Sequence, residues 1–260
     1  LICMYDPSSP LIRSATGAGG LPQPDAKARF AEDRLLDAVV WCEVLPGETI
    51  TEADVMERFG LTRAAARAAL TRLGYDGWAQ PQARLGWQVA PVTGALIGEV
   101  LAARRIVEPA LSDAALKSAE IDEIQRIGGI LKAVSQQPET GAVGSFRHFV
   151  DQIDGILLGA IDIFSARHLR KLWHHSARIT RYVEDADAGR IFQRDDIFEL
   201  IRAVCDGDRA GIAAARHALI DAQERFFMRQ LLKSDAPIAP GSGLRRRQLS
   251  ENAATDGRLS

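Results

Sequence analysis

The amino-acid sequence predicts a mainly α-helical protein, with a winged helix-turn-helix on its N-terminal side followed by an antiparallel bundle of helices. Two observations predict this fold class. Apolar residues recur at helical spacing through nearly all of residues 93–233, without an alternating strand pattern of useful length. Residues 51–89 combine two short helices around a glycine with two short segments that can be extended.

Composition and charge are those of an ordinary globular protein. The 260 residues are 47% hydrophobic and 25% charged, which is enough for one large or two ordinary domains. The net charge of −2 argues against a protein that coats nucleic acid without specificity. No apolar run approaches the roughly 18 residues of a membrane span, and the first residues do not resemble a signal peptide. We therefore expect no membrane partner.

The three cysteines, Cys3, Cys42 and Cys205, indicate neither a disulfide framework nor a thiolate zinc site, because they are odd in number and far apart. We expect Cys42 and Cys205 to pack in the core of a reduced, cytoplasmic protein. Proline, glycine and serine are frequent near both ends of the sequence and predict a flexible tail at each end.

Capping signals place the two helices of the helix-turn-helix. Thr51 and Asp54 have the spacing of a capping box at the start of the first helix. Gly60 is suited to the left-handed conformation that ends a helix. Thr62 is the N-cap of the second helix, because its hydroxyl can accept from the unpaired amides of the first turn.

The second helix indicates contact with DNA. Arg63 and Arg67 are four residues apart and therefore lie on one face, away from the apolar positions. Basic side chains outnumber acidic ones over residues 58–84, and they are Arg58, Arg63, Arg67, Arg72 and Arg84. We expect Arg63 and Arg67 to contact base edges or phosphates in a major groove, and Thr62 to contact a phosphate.

Two short segments after the second helix predict a wing. Residues 78–80 and 86–89 can be extended, and residues 81–84 look like a loop. This arrangement places Arg84 near the tip of the wing and Gly86 at the start of its second strand. We expect both residues to contact the neighbouring minor groove or the DNA backbone.

At these residues the sequence resembles the winged helix-turn-helix of the GntR family of bacterial transcription regulators. The matching features are Pro46-Gly47 opening the second helix of the protein, a Thr-Arg-x3-Arg-x2-Leu segment from Thr62, and a glycine-containing wing ending at Val89. The resemblance implies a repressor that binds an inverted-repeat operator in double-stranded DNA as a homodimer.

The remaining elements read as helices. Residues 26–44 predict the first helix, with an apolar stripe that consists of Phe30, Leu35, Leu36, Val39, Val40 and Trp41. Six further helices are predicted at residues 95–118, 121–134, 143–164, 166–183, 192–205 and 209–232. The domains expected are a tail at 1–24, the winged helix-turn-helix at 25–91, the helical domain at 92–234 and a tail at 235–260.

The helical half resembles the FCD type of effector domain that follows the winged helix in one branch of the GntR family. The landmarks are the segment Arg104-Arg-Ile-Val-Glu108, Asp154 with Ser165 and Leu169 after it, and Asp206-Gly207-Asp208 before the last helix. The resemblance implies a domain that binds a small metabolite and forms the dimer.

Many members of that module hold a divalent metal through an aspartate and three histidines. In this sequence the corresponding positions are Asp154, Leu158, Ile197 and Leu219. Three apolar side chains cannot coordinate a cation, so we expect no metal cofactor. A rearranged site is the alternative, and its candidates are His148, Asp151, Asp154, His174, His175 and His217.

The resemblance then favours an organic ligand bound directly, a small carboxylate with an apolar body. Arg104 is the first candidate for the carboxylate, because this arginine faces the cavity in the resembling family and a guanidinium pairs bidentately with carboxylates. Asp154 is expected in the same site, and Arg178 or Arg181 can serve in a similar way. In the alternative, Arg104 or its neighbour pairs with Glu108 at the helix surface.

Two other classes of protein remain as alternatives. The sequence contains no nucleophile elbow, P-loop, dinucleotide fingerprint, HExxH motif or carboxylate pair in a recognisable setting, so we do not expect an enzyme. A helical bundle that binds or converts a small molecule without a DNA role is the alternative. A purely structural partner-binding protein would leave the arginine pair and the wing without a use.

Overall fold

The computed structural model describes residues 24–135, 140–184 and 195–233. These residues form nine α-helices, one 3₁₀ helix and three short strands, which confirms the prediction of a mainly α-helical fold. In chain order the elements are α1 (Pro24–Val40), β1 (Thr49–Ile50), α2 (Glu52–Phe59), α3 (Arg63–Tyr75), β2 (Ala79–Gln82), β3 (Gly86–Val89), α4 (Gly94–Val107), the 3₁₀ helix (Glu108–Asp113), α5 (Ser118–Ser135), α6 (Thr140–Gly159), α7 (Ile163–Val183), α8 (Asp195–Cys205) and α9 (Arg209–Lys233). Both predicted tails, except Pro24, and Cys3 lie outside the described residues.

The N-terminal unit, residues 24–89, has an apolar core of its own. Side chains from α1, α2, α3 and the sheet fill this core, and its most deeply buried members include Leu35, Val39, Val55, Leu70 and Trp78. Helix α1 ends at Val40, earlier than predicted. Two residues of the predicted apolar stripe, Phe30 and Trp41, are 56% and 39% exposed.

The capping bonds of the helix-turn-helix confirm the prediction. The Thr51 hydroxyl accepts from the Asp54 amide at 3.2 Å, and the Asp54 carboxylate accepts from the Thr51 amide at 2.8 Å. Gly60 ends α2 with a φ of 64°, in the left-handed region. The Thr62 hydroxyl accepts from the Ala65 amide at 3.3 Å and caps α3. These local bonds define where α2 and α3 begin and where α2 ends.

The sheet has three antiparallel strands, in the order β1-β3-β2, where the sequence predicted two. Strand β1 pairs with β3 and places Ile50 opposite Trp87, so the wing is joined to the segment before α2. Residues 46–47, expected to open the second helix, form the turn that leads into β1. Pro81 belongs to β2 and not to the predicted loop, which is tolerated because β2 is an edge strand.

The C-terminal unit, residues 94–233, contains the six predicted helices as α4 to α9. The first of them, predicted at residues 95–118, is divided into α4 and the 3₁₀ helix, because Pro109 has no amide hydrogen to continue the helical ladder. Helix α7 begins at Ile163, earlier than predicted, because the Asp162 carboxylate accepts from the first-turn amides.

Two apolar clusters stabilise the C-terminal unit. The larger one lies mainly among α5, α6, α8 and α9, and the smaller one joins α4, α7 and α9. Cys205 packs against the larger cluster, whereas Cys42 is half-buried and its thiol donates to the carbonyl oxygen of Arg178 at 3.6 Å. None of the helices in the described ranges is both long and apolar enough to span a membrane.

Candidate functional site

The start of α3 is the exposed end of the helix-turn-helix. The buried face of this helix consists of Ala66, Ala69, Leu70 and Leu73. Arg63 and Arg67 lie on another face and are exposed to solvent. Thr62 uses an oxygen lone pair to cap α3, which leaves its O–H free to donate to a phosphate. The three predicted DNA contacts of α3 therefore lie together on an accessible surface.

Arg67 is held in one orientation by a carboxylate of α2. Its Nε and Nη2 atoms donate to the two carboxylate oxygens of Glu52 at 2.8 Å and 3.2 Å. These hydrogen bonds lower the pKa of Glu52, so the pair stays ionised at neutral pH. The Arg67 side chain is 68% exposed, and water weakens such an ion pair. A phosphate or a guanine edge can therefore replace Glu52 as the acceptor.

The other basic residues of this region contribute less than the sequence suggested. Arg58 donates to Glu48 at 2.7 Å, and Arg72 pairs with Asp76 at 2.8 Å. Both guanidinium groups therefore have acceptors within the N-terminal unit. Arg67 is paired with Glu52 in the same way, so Arg63 and Arg84 are the exposed arginines of this region that have no ion pair within the described residues.

The tip of the wing places Arg84 in solvent. Arg84 has a φ of 67° and connects β2 to β3. Gly86, with a φ of 108°, lets β3 pass close to β1, because a Cβ atom there would lie 2.6 Å from the Ile50 carbonyl oxygen. The pairing of the strands therefore requires Gly86, and any contact that it makes with DNA involves its backbone.

The wing packs directly on the helix that carries the arginine pair. A Cβ atom at Gly74 of α3 would lie 2.5 Å from a ring carbon of Trp87 in β3. Only glycine allows the indole to lie this close to the helix. The angle between α3 and the wing is therefore set by packing inside the N-terminal unit.

The second candidate site is a cavity of about 170 Å³ among the helices of the C-terminal unit. Its apolar wall includes Phe146, Val150, Trp173, Leu219 and Phe226. Its charged wall consists of Arg104, Arg147, Asp151, Asp154, Arg181 and Arg216. Such a lining suits a ligand with an apolar body and a few directed polar contacts. The predicted effector residues Arg104 and Asp154 both belong to it.

Arg104 is 6% exposed and lies in a network of hydrogen bonds. Its Nε donates to Glu108 at 2.5 Å, and its Nη1 donates to Ser176 at 3.0 Å and to Gln223. The Trp173 indole also donates to Glu108, at 2.8 Å. Arg104 thus pairs with Glu108 as in the alternative prediction, but in the interior, and it also lines the cavity. It can meet a ligand carboxylate only by exchanging one of these partners.

Asp154 faces a guanidinium among the positions that the family resemblance assigns to a metal. The Nη2 atom of Arg216 donates to the Asp154 carboxylate at 2.5 Å. Leu158 and Ile197 are buried in the larger apolar cluster, and Leu219 lines the cavity. These residues do not fit a divalent cation, because the apolar side chains offer no lone pair and Arg216 already occupies the carboxylate.

The histidines considered for a rearranged metal site have other surroundings. His148 and His217 form hydrogen bonds within their own helices, at 3.0 Å and 2.8 Å. Burial lowers the pKa of His174 to about 4, and its ring lies 6.5 Å from that of Trp78 in the N-terminal unit. Within the described ranges, no three side chains of His, Cys, Asp and Glu form a group that could hold a metal ion.

Helix α7 lies between the cavity and the N-terminal unit. The His175 ring stacks on Trp78 with a centroid separation of 3.9 Å, and burial lowers the pKa of His175 to about 3. Arg178 is fully buried and donates from Nη1 to the Ala90 carbonyl at 2.7 Å. Arg178 is not among the residues that line this cavity, and its role in effector binding stays a prediction. Its position on α7 directs it towards the N-terminal unit instead.

Arg181 contacts both the cavity and the N-terminal unit. It lines the cavity, and its guanidinium carbon lies 3.6 Å from the ring centroid of Trp41. Trp41 directly follows α1, so this contact joins α7 to the N-terminal unit. The sequence placed Arg181 beside Arg178 without distinguishing them, and the structure separates their surroundings.

Asp151 is the titratable carboxyl group at the wall of the cavity. The low-dielectric surroundings and the carboxylate of Asp154 raise the pKa of Asp151 to about 7, against the opposing effects of Arg181 and Arg147. The Asp151 residue is itself exposed, and solvent screens part of this effect. The upward direction is therefore what matters for the charge of the cavity near neutral pH.

No family model and no curated protein matches the sequence. Among solved structures, E. coli McbR/YncC matches with a TM-score of 0.66 and 15% identity, over 79% of this chain and 98% of its own. A protein of Rhodococcus sp. RHA1, named as a GntR transcriptional regulator, matches with a TM-score of 0.58 and 20% identity, over 78% of this chain and 98% of its own. The chain therefore has the fold of GntR-family transcription regulators.

Proposed function

We propose that the protein is a DNA-binding transcription regulator that represses by binding an inverted-repeat operator as a homodimer. The observation that carries this proposal is the accessible pair Arg63 and Arg67 at the capped start of α3, beside a wing with Arg84 at its tip. A capped, anchored helix with exposed guanidinium groups suits the major groove, and the wing suits the adjacent backbone or minor groove. Two such units related by a two-fold axis match an inverted repeat.

The direct test uses double-stranded DNA from the region upstream of the protein's own gene. A labelled fragment should shift in a gel at protein concentrations that leave an unrelated fragment of equal length free. The length of the protected region and a two-fold symmetric footprint would support the homodimer. A helical bundle that acts on small molecules without a DNA role is the alternative, and it predicts no preference between the two fragments.

The isolated N-terminal fragment, residues 25–91, is expected to fold on its own but to bind the operator more weakly than the full chain. Its apolar core closes largely within the fragment, although Trp78 would lose the covering His175 ring. The loss of affinity follows because a dimer partner no longer supplies a second binding unit at high effective concentration. Circular dichroism and fluorescence anisotropy measure the two effects. Equal affinity for fragment and full chain would contradict dimerisation through the C-terminal unit.

We further propose that the cavity of the FCD-like C-terminal unit binds a small organic acid with an apolar body. Binding of this ligand causes the protein to release the operator. The mixed apolar and basic lining supports a carboxylate ligand, with Arg104 and Arg181 as the nearest candidates to receive it. Benzoate is a suitable probe, and its neutral isostere benzamide is the control. Benzoate should raise the melting temperature because it binds the folded state, with a stabilisation of RT ln(1 + [L]/Kd).

Benzoate affinity is expected to rise about threefold to tenfold from pH 8 to pH 6, the effect of one unit charge a few ångströms away in a partly hydrated cavity. Benzoate stays ionised over this range, whereas Asp151, with its pKa raised to about 7, takes up a proton and removes a negative charge. The charged groups near Asp151 are Asp154, Arg147 and Arg181. Calorimetry at both pH values measures the effect. Asp151→Asn should abolish the pH dependence, and an unchanged dependence in that variant would assign it elsewhere.

We also propose that the protein needs no metal cofactor, because the positions that correspond to the family's ligands are Asp154, Leu158, Ile197 and Leu219. The ion pair of Asp154 with Arg216 supports this proposal. Treatment with a chelator is expected to change neither the melting temperature nor the operator affinity of the purified protein. Elemental analysis that finds about one tightly held metal per chain would contradict the proposal and point to His148, Asp154, His174 or His217.

A further inference from the structure

We propose that Arg181 is the residue through which an anion in the cavity acts on the N-terminal unit, by leaving Trp41 to pair with that anion. The inference rests on the proposed function of the cavity as a ligand site and specifies how a ligand there changes the contact between α7 and α1. A ligand without negative charge would fill the same space without moving Arg181.

The partners of the cavity arginines single out Arg181. Arg104, Arg147 and Arg216 each form an ion pair with a carboxylate, and these partners are Glu108, Glu184 and Asp154. Arg181 instead stacks on the face of Trp41, and no ion pair joins it to any residue in the described part of the chain. A hydrogen-bonded ion pair in a cavity is stronger than a cation–π contact with a half-exposed ring. A ligand carboxylate therefore gains the most binding energy by pairing with Arg181, because it breaks a cation–π contact and no existing ion pair.

Arg181 lies between carboxyl groups of the two units. The charge of Arg181 acts to lower the pKa of two carboxyl groups. They are Asp37 on α1, in the N-terminal unit, and Asp151 on α6, at the cavity wall. The guanidinium is half-buried, on a long flexible side chain, and so can turn towards either side. Binding of an anion adds negative charge on the cavity side alone, which biases the side chain away from Trp41.

The contact between α7 and the N-terminal unit also contains a destabilising feature. Arg178 donates to the Ala90 carbonyl, but its Nε and Nη2 atoms are buried without a hydrogen-bond partner in the described structure. A buried cation with unmet donors weakens the closed junction, because separation of the units would let water reach those donors. The Arg181–Trp41 contact is a favourable contact that holds α7 on the end of α1, beside the His175–Trp78 stack, so its loss favours separation.

Competition between Trp41 and the ligand for one guanidinium predicts opposite effects of two substitutions. Arg181→Gln removes the group that the ligand uses, so benzoate affinity should fall by about tenfold or more. Trp41→Leu removes the competitor, so benzoate affinity should rise about threefold. Arg167→Gln, on the exposed side of the same helix, is the matched control and should change nothing. Benzamide affinity should be the same in all four proteins.

The experiment is isothermal calorimetry of benzoate with the full chain in the absence of DNA. Hydrogen exchange at residues 36–44 supplies the structural readout, which benzoate should increase in the wild type and not in Arg181→Gln. The inference is overturned if the Arg181 and Trp41 variants shift benzoate affinity in the same direction, if neither changes it by twofold, or if the wild type binds no benzoate at millimolar concentration. A protein that passes these tests but binds no promoter fragment would instead disprove the proposed regulator function and leave the coupling intact.

Discussion

Replacement of Arg104 by methionine is expected to lower the free energy of unfolding by about 3–5 kcal/mol, the usual cost of removing one partner of a buried ion pair. Glu108 is fully buried, and its carboxyl group would be left with the Trp173 indole as its remaining hydrogen-bond donor. Ser176 and Gln223 would also lose the donor that satisfies them. Urea unfolding followed by circular dichroism measures the loss.

Two control variants distinguish the cost of leaving Glu108 without its ion-pair partner from the cost of lost side-chain packing. The double variant Arg104→Met with Glu108→Leu should recover much of the stability, because apolar residues of similar volume often replace a buried ion pair without cost. Arg105→Met breaks the more exposed pairs with Asp221 and Glu224 and should cost about 1 kcal/mol or less. An Arg104 variant no less stable than the Arg105 variant would contradict the structural role of the network. Because replacement of Arg104 is expected to destabilise the fold, loss of benzoate binding in an Arg104 variant would not by itself identify the carboxylate site.

The double variant Arg63→Ala with Arg67→Ala is expected to lose operator binding by about 25-fold or more, since each guanidinium that reads a guanine accounts for roughly 5- to 150-fold. Fluorescence anisotropy of the labelled promoter fragment between 50 and 200 mM salt measures the loss. If an arginine touches phosphate only, the variant should weaken binding to operator and random DNA alike. The slope of log affinity against log salt should then shrink by about one per arginine.

Controls for the DNA experiment come from another surface ion pair and from the carboxylate partner of Arg67. Arg126→Ala removes an exposed arginine that, like Arg67, pairs with a nearby carboxylate, but on α5 of the C-terminal unit. It should leave operator affinity unchanged. Glu52→Gln removes the negative charge that competes with DNA for Arg67 and should leave affinity equal or raise it. Equal operator affinity of the wild type and the double arginine variant would remove the basis for assigning α3 as the recognition helix.

The local parts of the fold could be predicted from the sequence because their causes lie within a few residues. Thr51, Gly60 and Thr62 specify helix ends through bonds to amides three residues away or through backbone conformation alone. Strand β1 could not be predicted, since two residues show no periodicity and their partner lies in β3. The division of α4 from the 3₁₀ helix had a signal in Pro109, which the apolar spacing of residues 95–118 outweighed.

The candidate sites divide in the same way. The exposure of Arg63 and Arg67 followed from helical spacing. The ion pair that orients Arg67 did not, because its partner Glu52 lies fifteen positions earlier on another helix. Arg216 was missed, although it stands three residues before Leu219 and therefore on the same face of α9. Which side of α7 meets the N-terminal unit depends on the packing of two units. Spacing alone could not assign Arg178 to that junction.

The contact of Trp87 with Gly74 has a consequence for how this surface can evolve. In the proposed complex, this contact would set the distance along the double helix between the bases that α3 contacts and the backbone that the wing contacts. Substitution of Arg63 or Arg67 would therefore change the preferred base sequence of one half of the operator, the half-site, while its length stays constant. A side chain at position 74 would do the reverse, since the displaced indole would lengthen or shorten the half-site with both guanidinium groups intact.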